Sequence, residues 1–137
     1  MCGIIGISGL DEAAHTVGIG EHTLQHRGQE SAGIVSFDVE KNDFFEHRQS
    51  GLAGGIWTPP VIAQLPGRSA IGHVRYSTSG VKHHDAILQA RDAQPLLSYS
   101  IDGGIAIAHN GNLTNEKQLR FELMRAGHLF QSKVDTE

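Results

Sequence analysis

The sequence predicts an α+β fold with antiparallel sheets. Short apolar segments fall in pairs across tight turns, the pattern of β-hairpins. Helical periodicity is confined to separate blocks and does not alternate regularly with the strands, which argues against a doubly wound parallel sheet. Glycine is over-used, at 17 residues without a repeat period. It punctuates the apolar stretches, where strands, turns and close backbone approaches need it.

Residues 2–8 (CGIIGIS) are short, β-branched and glycine-broken, and predict a buried strand that starts at the second residue. Asp11 is placed to cap a helix over about 12–25, with Ala13, Val17 and Leu24 on one face. Gly18 and Gly20 weaken that helix. HRGQESAG (26–33) reads as a polar, glycine-bounded loop. GIVSFDV (33–39), a turn at Lys41-Asn42-Asp43 and FFEHRQ (44–49) predict a hairpin. Thr58 followed by Pro59 opens a short helix to about Leu65, with proline at the first helical position. SAIGHVRYS (69–77) is a strand, and 78–94 a long polar loop holding Lys82, His83, His84 and Asp85. LLSYSI (96–101), the Asp102-Gly103-Gly104 turn and IAIAH (105–109) form a second hairpin. NGNLTN (110–115) is a tight turn. The helix after it runs to about Ala126, with Leu119, Leu123 and Met124 inward and Gly127 as the stop. HLFQSKV (128–134) predicts a strand, and the chain stops at Asp135-Thr136-Glu137 without a closing element.

A chain of 137 residues suffices for one domain with one core. A net charge of −4 offers no basic footprint for nucleic acid. No apolar run approaches the ~20 residues of a membrane span, and no basic, apolar leader opens the chain. A single cysteine excludes an intrachain disulfide and a cysteine-ligated iron–sulfur cluster within this segment, and suits a reducing cytoplasm. His22 and His26 have helical spacing and His83-His84-Asp85 form a compact group. Neither has a clear third and fourth metal ligand, so no metal site is expected. No phosphate-cradling glycine loop is present.

The one cysteine, Cys2, directly follows Met1. Removal of Met1 would leave a thiol nucleophile and an α-amine base on one residue. Their ordinary pKa values, ~8.5 and ~7.7–8.0, lie close to neutrality. Arg75 lies in an otherwise apolar strand (AIGHVRY) and needs an anion, either a substrate carboxylate or a structural acid. Asn110-Gly111 follows an apolar strand. It could offer an amide and a glycine N–H to an oxyanion, or be a plain Asn-Gly turn. Asp135 could meet a substrate ammonium or cap a helix of an element missing from this segment.

MCGIIGI at the start, LQHRGQESAGI (24–34), IGHVRYSTSG (71–80), IAHNGNLTN (107–115) and VDTE (134–137) together resemble the class II glutamine amidotransferases, a family of N-terminal-nucleophile hydrolases. The resemblance spans the whole chain in order. Its HRGQESAG and HVRYSTSG wording is similar to the amidophosphoribosyltransferases, whereas aminosugar synthases of the class usually have RGYDSAG.

The resemblance implies a four-layer αββα sandwich with antiparallel sheets, incomplete at the C-terminus. It implies Cys2 as nucleophile, Arg75 binding the substrate carboxylate, Thr78 beside the substrate, and Asn110 with Gly111 as the oxyanion pair. It implies Asp135 at the α-amino group, and Arg27 supporting the surroundings of the nucleophile. The implied reaction is hydrolysis of glutamine to glutamate and ammonia. In the full enzyme the ammonia and phosphoribosyl pyrophosphate form phosphoribosylamine, the first step of purine synthesis. The expectations that follow are residues 1–137 as a partial glutaminase domain, with the phosphoribosyltransferase domain absent, and no cofactor in this segment. Magnesium is expected only with the absent domain. Glutamine is the expected partner, phosphoribosyl pyrophosphate binds only through the absent domain, and the full-length enzyme is a cytoplasmic homo-oligomer. Another class II amidotransferase, a free-standing glutaminase and a non-catalytic glutamine-binding fragment are the alternatives.

Overall fold

The computed structural model describes residues 1–76 and 90–137. Thr78 and the group Lys82, His83, His84 and Asp85 lie outside the described residues. The element order is β1 (Gly3–Ser8), α1 (Ala13–Leu24), β2 (Ser31–Asp38), β3 (Asp43–Ser50), α2 (Ala53–Ile56), α3 (Pro59–Ile62), β4 (Ser69–Arg75), β5 (Leu96–Ser100), β6 (Gly103–Ile107) and α4 (Glu116–Arg125). The first four strands form one antiparallel sheet in the order β1-β4-β2-β3, and β5-β6 form a separate hairpin.

Helix α1 lies on one face of the four-stranded sheet. Ala13, Ala14 and Val17 pack with Ile34, Leu65 and Ala70, and a second cluster joins Ala32, Ala53, Ile56 and Val74. Val17, Ile34 and Val74 are fully buried. Full burial of such side chains stabilises by about 1.5–3 kcal/mol each, so this face carries the core. Ile34→Ala would cost about 2–5 kcal/mol. The β5-β6 hairpin lies against the opposite face, where the Phe44 ring meets Phe37 at 4.7 Å and Tyr99 at 6.2 Å.

Both hairpins and the central strand form. β1 is an edge strand in which Gly3 is buried, Ile5 and Ile7 are half-buried and Ile4 is 42% exposed, so the expectation of a buried strand holds only in part and for one face. Asp11 does not cap α1. Its carboxylate pairs with Arg68 Nε at 2.9 Å, and Glu12 takes the cap position with φ +53 and no side-chain cap bond. The glycine-containing AGGI turn of helix at α2 went unanticipated, and α3 is shorter than expected. Leu119, Leu123 and Met124 are not inward: α4 buries no residue. Gly127 does stop the helix, with φ +94 and the His128 N–H returning to the Leu123 carbonyl at 3.0 Å.

Residues 128–134 form no strand. Side chains satisfy their backbone instead. Arg120 donates to the carbonyls of Ser132 (3.1 Å) and Val134 (2.8 Å). The Glu137 carboxylate accepts from the Gln131 and Ser132 N–H groups, and Asp92 accepts from Lys133 N–H. An irregular segment with its polar groups met this way needs no neighbouring strand.

One buried acid is set into the α1 side of the core. Glu21 is fully buried, facing Gly72, where an added Cβ would collide with its Oε1. Trp57 Nε1–H donates to Glu21 Oε2 at 2.7 Å. Loss of solvation pushes the Glu21 pKa up to about 9; the Trp57 hydrogen bond and a contact with the His73 backbone oppose the rise. In the unfolded chain the group titrates near the ordinary 4.5. Between those values the folded chain alone keeps the proton, so rising pH weakens the fold across that window. Glu21→Gln should remove this contribution. Urea midpoints measured from pH 5 to 9 should show the variant gaining on the wild type as pH rises. Parallel curves would contradict a protonated Glu21.

Candidate functional site

The register of β1 against β4 places the chain's second residue. Gly3 pairs with Val74, so the next step of the same antiparallel register sets Cys2 opposite Arg75. Period-two alternation then sends both side chains to the face away from α1. Gly3 allows this approach, because a Cβ there would press on Val74 and Leu24 at 3.0–3.1 Å. The Cys2 sulfur lies against the Tyr76 backbone, 3.5 Å from its N and 3.7 Å from its O. Arg27, from the turn after α1, donates from Nε to the Cys2 carbonyl at 3.0 Å.

Cys2, Arg75, Asn110, Gly111 and Asp135 line one cavity of about 530 Å³, with Gln94 and His109 among their neighbours. That volume is within the range of small-molecule sites. Asn110 and Gly111 follow β6, where the chain leaves the hairpin. Asp135 anchors them. Its Oδ2 accepts the Leu113 N–H at 2.7 Å, and its Oδ1 lies 3.3 Å from His109 Nδ1. A carboxylate has about four acceptor directions, so Asp135 keeps capacity for a ligand ammonium.

Arg75 meets a protein acid and lines the cavity as well. Its Nη1 is 3.2 Å from Asp92 Oδ2, with side chains 18% and 6% exposed. A guanidinium has five donors, so the pair leaves part of the fork for a second anion. His73 lies on the same strand face as Arg75 and is buried, without a hydrogen bond of full geometry to either ring nitrogen. Burial lowers its pKa to about 4, with the Arg75 and His109 charges adding to the fall and the nearby His109 backbone opposing it. It is therefore neutral at pH 7 and leaves the charged side chains described above to set the field.

Asp92 and Gln94 were missed in the sequence, where 78–94 reads as polar loop. Both are buried, and their partners lie 15 to 41 residues away, so no local period marks them. Gln94 Oε1 accepts the His109 N–H at 2.7 Å, next to Asn110. Its own carbonyl lies where a Cβ on Gly33 would sit, so only glycine fits at that point of β2. The one local signal was the buried-strand glycine itself, which marks close backbone approach.

Among the described residues no three His, Cys, Asp or Glu side chains are grouped to hold a metal ion. No described helix is long and apolar enough to cross a membrane.

Residues 81–137 match the model of the glutamine amidotransferase domain. The chain belongs to the glutamine amidotransferase domain family. It is 48% identical over 137 residues to an amidophosphoribosyltransferase of Rhizobium etli, covering 99% of this chain and 26% of that one. It is 43% identical over 137 residues to the amidophosphoribosyltransferase of Bacillus subtilis, covering 99% and 27%. Among solved structures, an allosteric regulatory enzyme of purine biosynthesis superposes with a TM-score of 0.86 at 39% identity, covering 99% and 28%. The chain thus spans about a quarter of the length of these relatives. Its antiparallel sheets and helices follow the N-terminal-nucleophile fold of that amidotransferase domain.

Gln94→Ala strips the acceptor from the His109 N–H of this domain. The expected loss is about 1–3 kcal/mol in urea unfolding, the cost of an orphaned donor. Unchanged stability would mean that His109 N–H finds another acceptor at no cost.

Proposed function

We propose that this segment is the glutaminase part of an amidophosphoribosyltransferase. The observation that supports it most is the convergence of Cys2, Arg75, Asn110-Gly111 and Asp135 on one cavity, from four separate stretches of sequence. Glutamine enters with its α-carboxylate on the free part of the Arg75 fork and its α-ammonium on Asp135. The side-chain amide then reaches Cys2. Thr78, in HVRYST, is the threonine that the family resemblance implies beside the substrate.

The chemistry is acyl transfer. With Met1 removed, the Cys2 α-amine takes the thiol proton, directly or through water. The thiolate adds to the amide carbon, and Asn110 and the Gly111 N–H hold the oxyanion. The tetrahedral intermediate collapses, the C–N bond breaks, and the ammonium of Cys2 protonates the departing ammonia. Water then cleaves the γ-glutamyl thioester, releasing glutamate and restoring the thiol. Arg27, on the Cys2 carbonyl, fixes the backbone from which the nucleophile projects. The ammonia serves phosphoribosylamine formation from phosphoribosyl pyrophosphate, on a part of the protein beyond this segment. Magnesium belongs to that step and enters none above.

A glutamine-like diazo-ketone should add one label per full-length chain, at Cys2. Cys2→Ala should abolish labelling and glutamine hydrolysis, and Cys2→Ser should retain little activity, because a hydroxyl is a far weaker nucleophile near neutral pH. Mass spectrometry of the labelled protein decides. Labelling that persists in Cys2→Ala would place the nucleophile elsewhere.

A further inference from the structure

We propose that Asp92 is a positioning residue that sets the spacing between Arg75 and Asp135, and with it the preference for a free α-amino acid; this rests on the glutamine reading above. Asp92 is buried, with a side chain 6% exposed, and uses both oxygens. Oδ2 faces Arg75 Nη1 at 3.2 Å, at the end of β4. Oδ1 accepts the Lys133 N–H at 3.0 Å, two residues before Asp135. One carboxylate therefore joins the two ends of the amino-acid cradle.

Asp92 is itself held. Arg48 Nη1 donates to the neighbouring Ala93 carbonyl at 3.1 Å, and the Gln94 carbonyl is seated against Gly33 of β2. The segment 92–94 is thus tied to the four-stranded sheet from two strands. Across the cavity, the Arg120 clamp on the Ser132 and Val134 carbonyls sets the C-terminal segment on α4. Nothing in that clamp fixes the segment relative to Arg75. Asp92 does, through the Lys133 N–H.

The charge matters as well as the reach. Arg75 is largely buried, and a guanidinium deprived of its acid partner turns toward any remaining acceptor. With Asp92 on the Nη1 edge, the remaining donors keep a fixed direction into the cavity, and a planar carboxylate can be met by that fork. Loss of the Asp92 charge releases the fork, and loss of its Oδ1 removes the direct tie between the Arg75 end and the segment that carries Asp135, which Leu113 and His109 still hold from the other side.

The test compares two substrates in the full-length protein: glutamine, and 4-aminobutanamide, which is glutamine without its α-carboxylate. Asp92→Asn keeps volume and an acceptor for Lys133 but removes the charge beside Arg75. Glutamine KM should rise about 10- to 100-fold, the scale of a charge-assisted hydrogen bond, with kcat changed by less than about threefold. The kcat/KM for 4-aminobutanamide should fall by no more than about threefold, so the preference for glutamine narrows. Combined with Arg75→Lys, Asp92→Asn should add little further loss, because the two act as one unit. Asp92→Glu, which keeps the charge but displaces it, should narrow the preference in the same direction and covers the case in which Asp92→Asn does not fold. Wild-type KM in either folded variant, equal losses for both substrates, or additive losses with Arg75→Lys would overturn the role of Asp92 while leaving the glutamine site standing. A wild-type protein that neither hydrolyses glutamine nor labels at Cys2 would defeat the glutamine reading, and this proposal with it.

Discussion

The pairing of β1 with β4 is the constraint on which the site depends. Cys2 has no strand of its own to hold it, and an N-terminal residue ordinarily frays. Here the register that begins at Gly3 and Val74 carries it to a position opposite Arg75. A slip of one residue would turn the Cys2 side chain toward α1 and away from the cavity. Three features oppose a slip. Ile5 and Ile7 pack into the α1 core, Arg27 grips the Cys2 carbonyl, and the glycine at position 3 leaves no room for a side chain against Val74.

The rest of the site is assembled around that pair by polar side chains that reach across long sequence distances. Gln94 holds His109, Asp135 holds Leu113 and His109, and Asp92 holds both Arg75 and Lys133. The four-stranded sheet supplies rigidity, since its α1 face carries the buried apolar core. The opposite face is spent on the hairpin and the cavity. Apolar side chains of β6 and α4 remain exposed, with Ile105, Ile107, Phe121 and Met124 at 41–61%. The cavity face therefore draws its order more from hydrogen bonds than from burial.

The sequence revealed the strands well and the site in part. Hairpins were legible because alternation and turn residues are local signals, and β2 with β3 formed close to their expected bounds. Cys2, Arg75, Asn110, Gly111 and Asp135 were legible because each sits in a short ordered motif, and all five line the one cavity. Arg75 was read as needing either a ligand or an acid, and it has the acid in Asp92 while still facing the cavity. The inward face of α4 was misread, because helical periodicity shows that a stripe exists but not that anything covers it. The strand expected at 128–134 failed for a related reason. Apolar residues there suggested pairing, yet Arg120, Asp92 and Glu137 satisfy the backbone first. Asp92 and Gln94 were invisible because their roles exist only once distant segments have met.

For Cys2 to supply both nucleophile and base, its amine must be free. The most direct measurement compares glutamine hydrolysis by two preparations of the full-length protein, one with Met1 fully removed and one with Met1 fully retained, each verified by intact mass. Hydrolysis is expected in the processed protein and none above background in the other, because an amide nitrogen takes no proton from the thiol. Equal rates in the two preparations would contradict it.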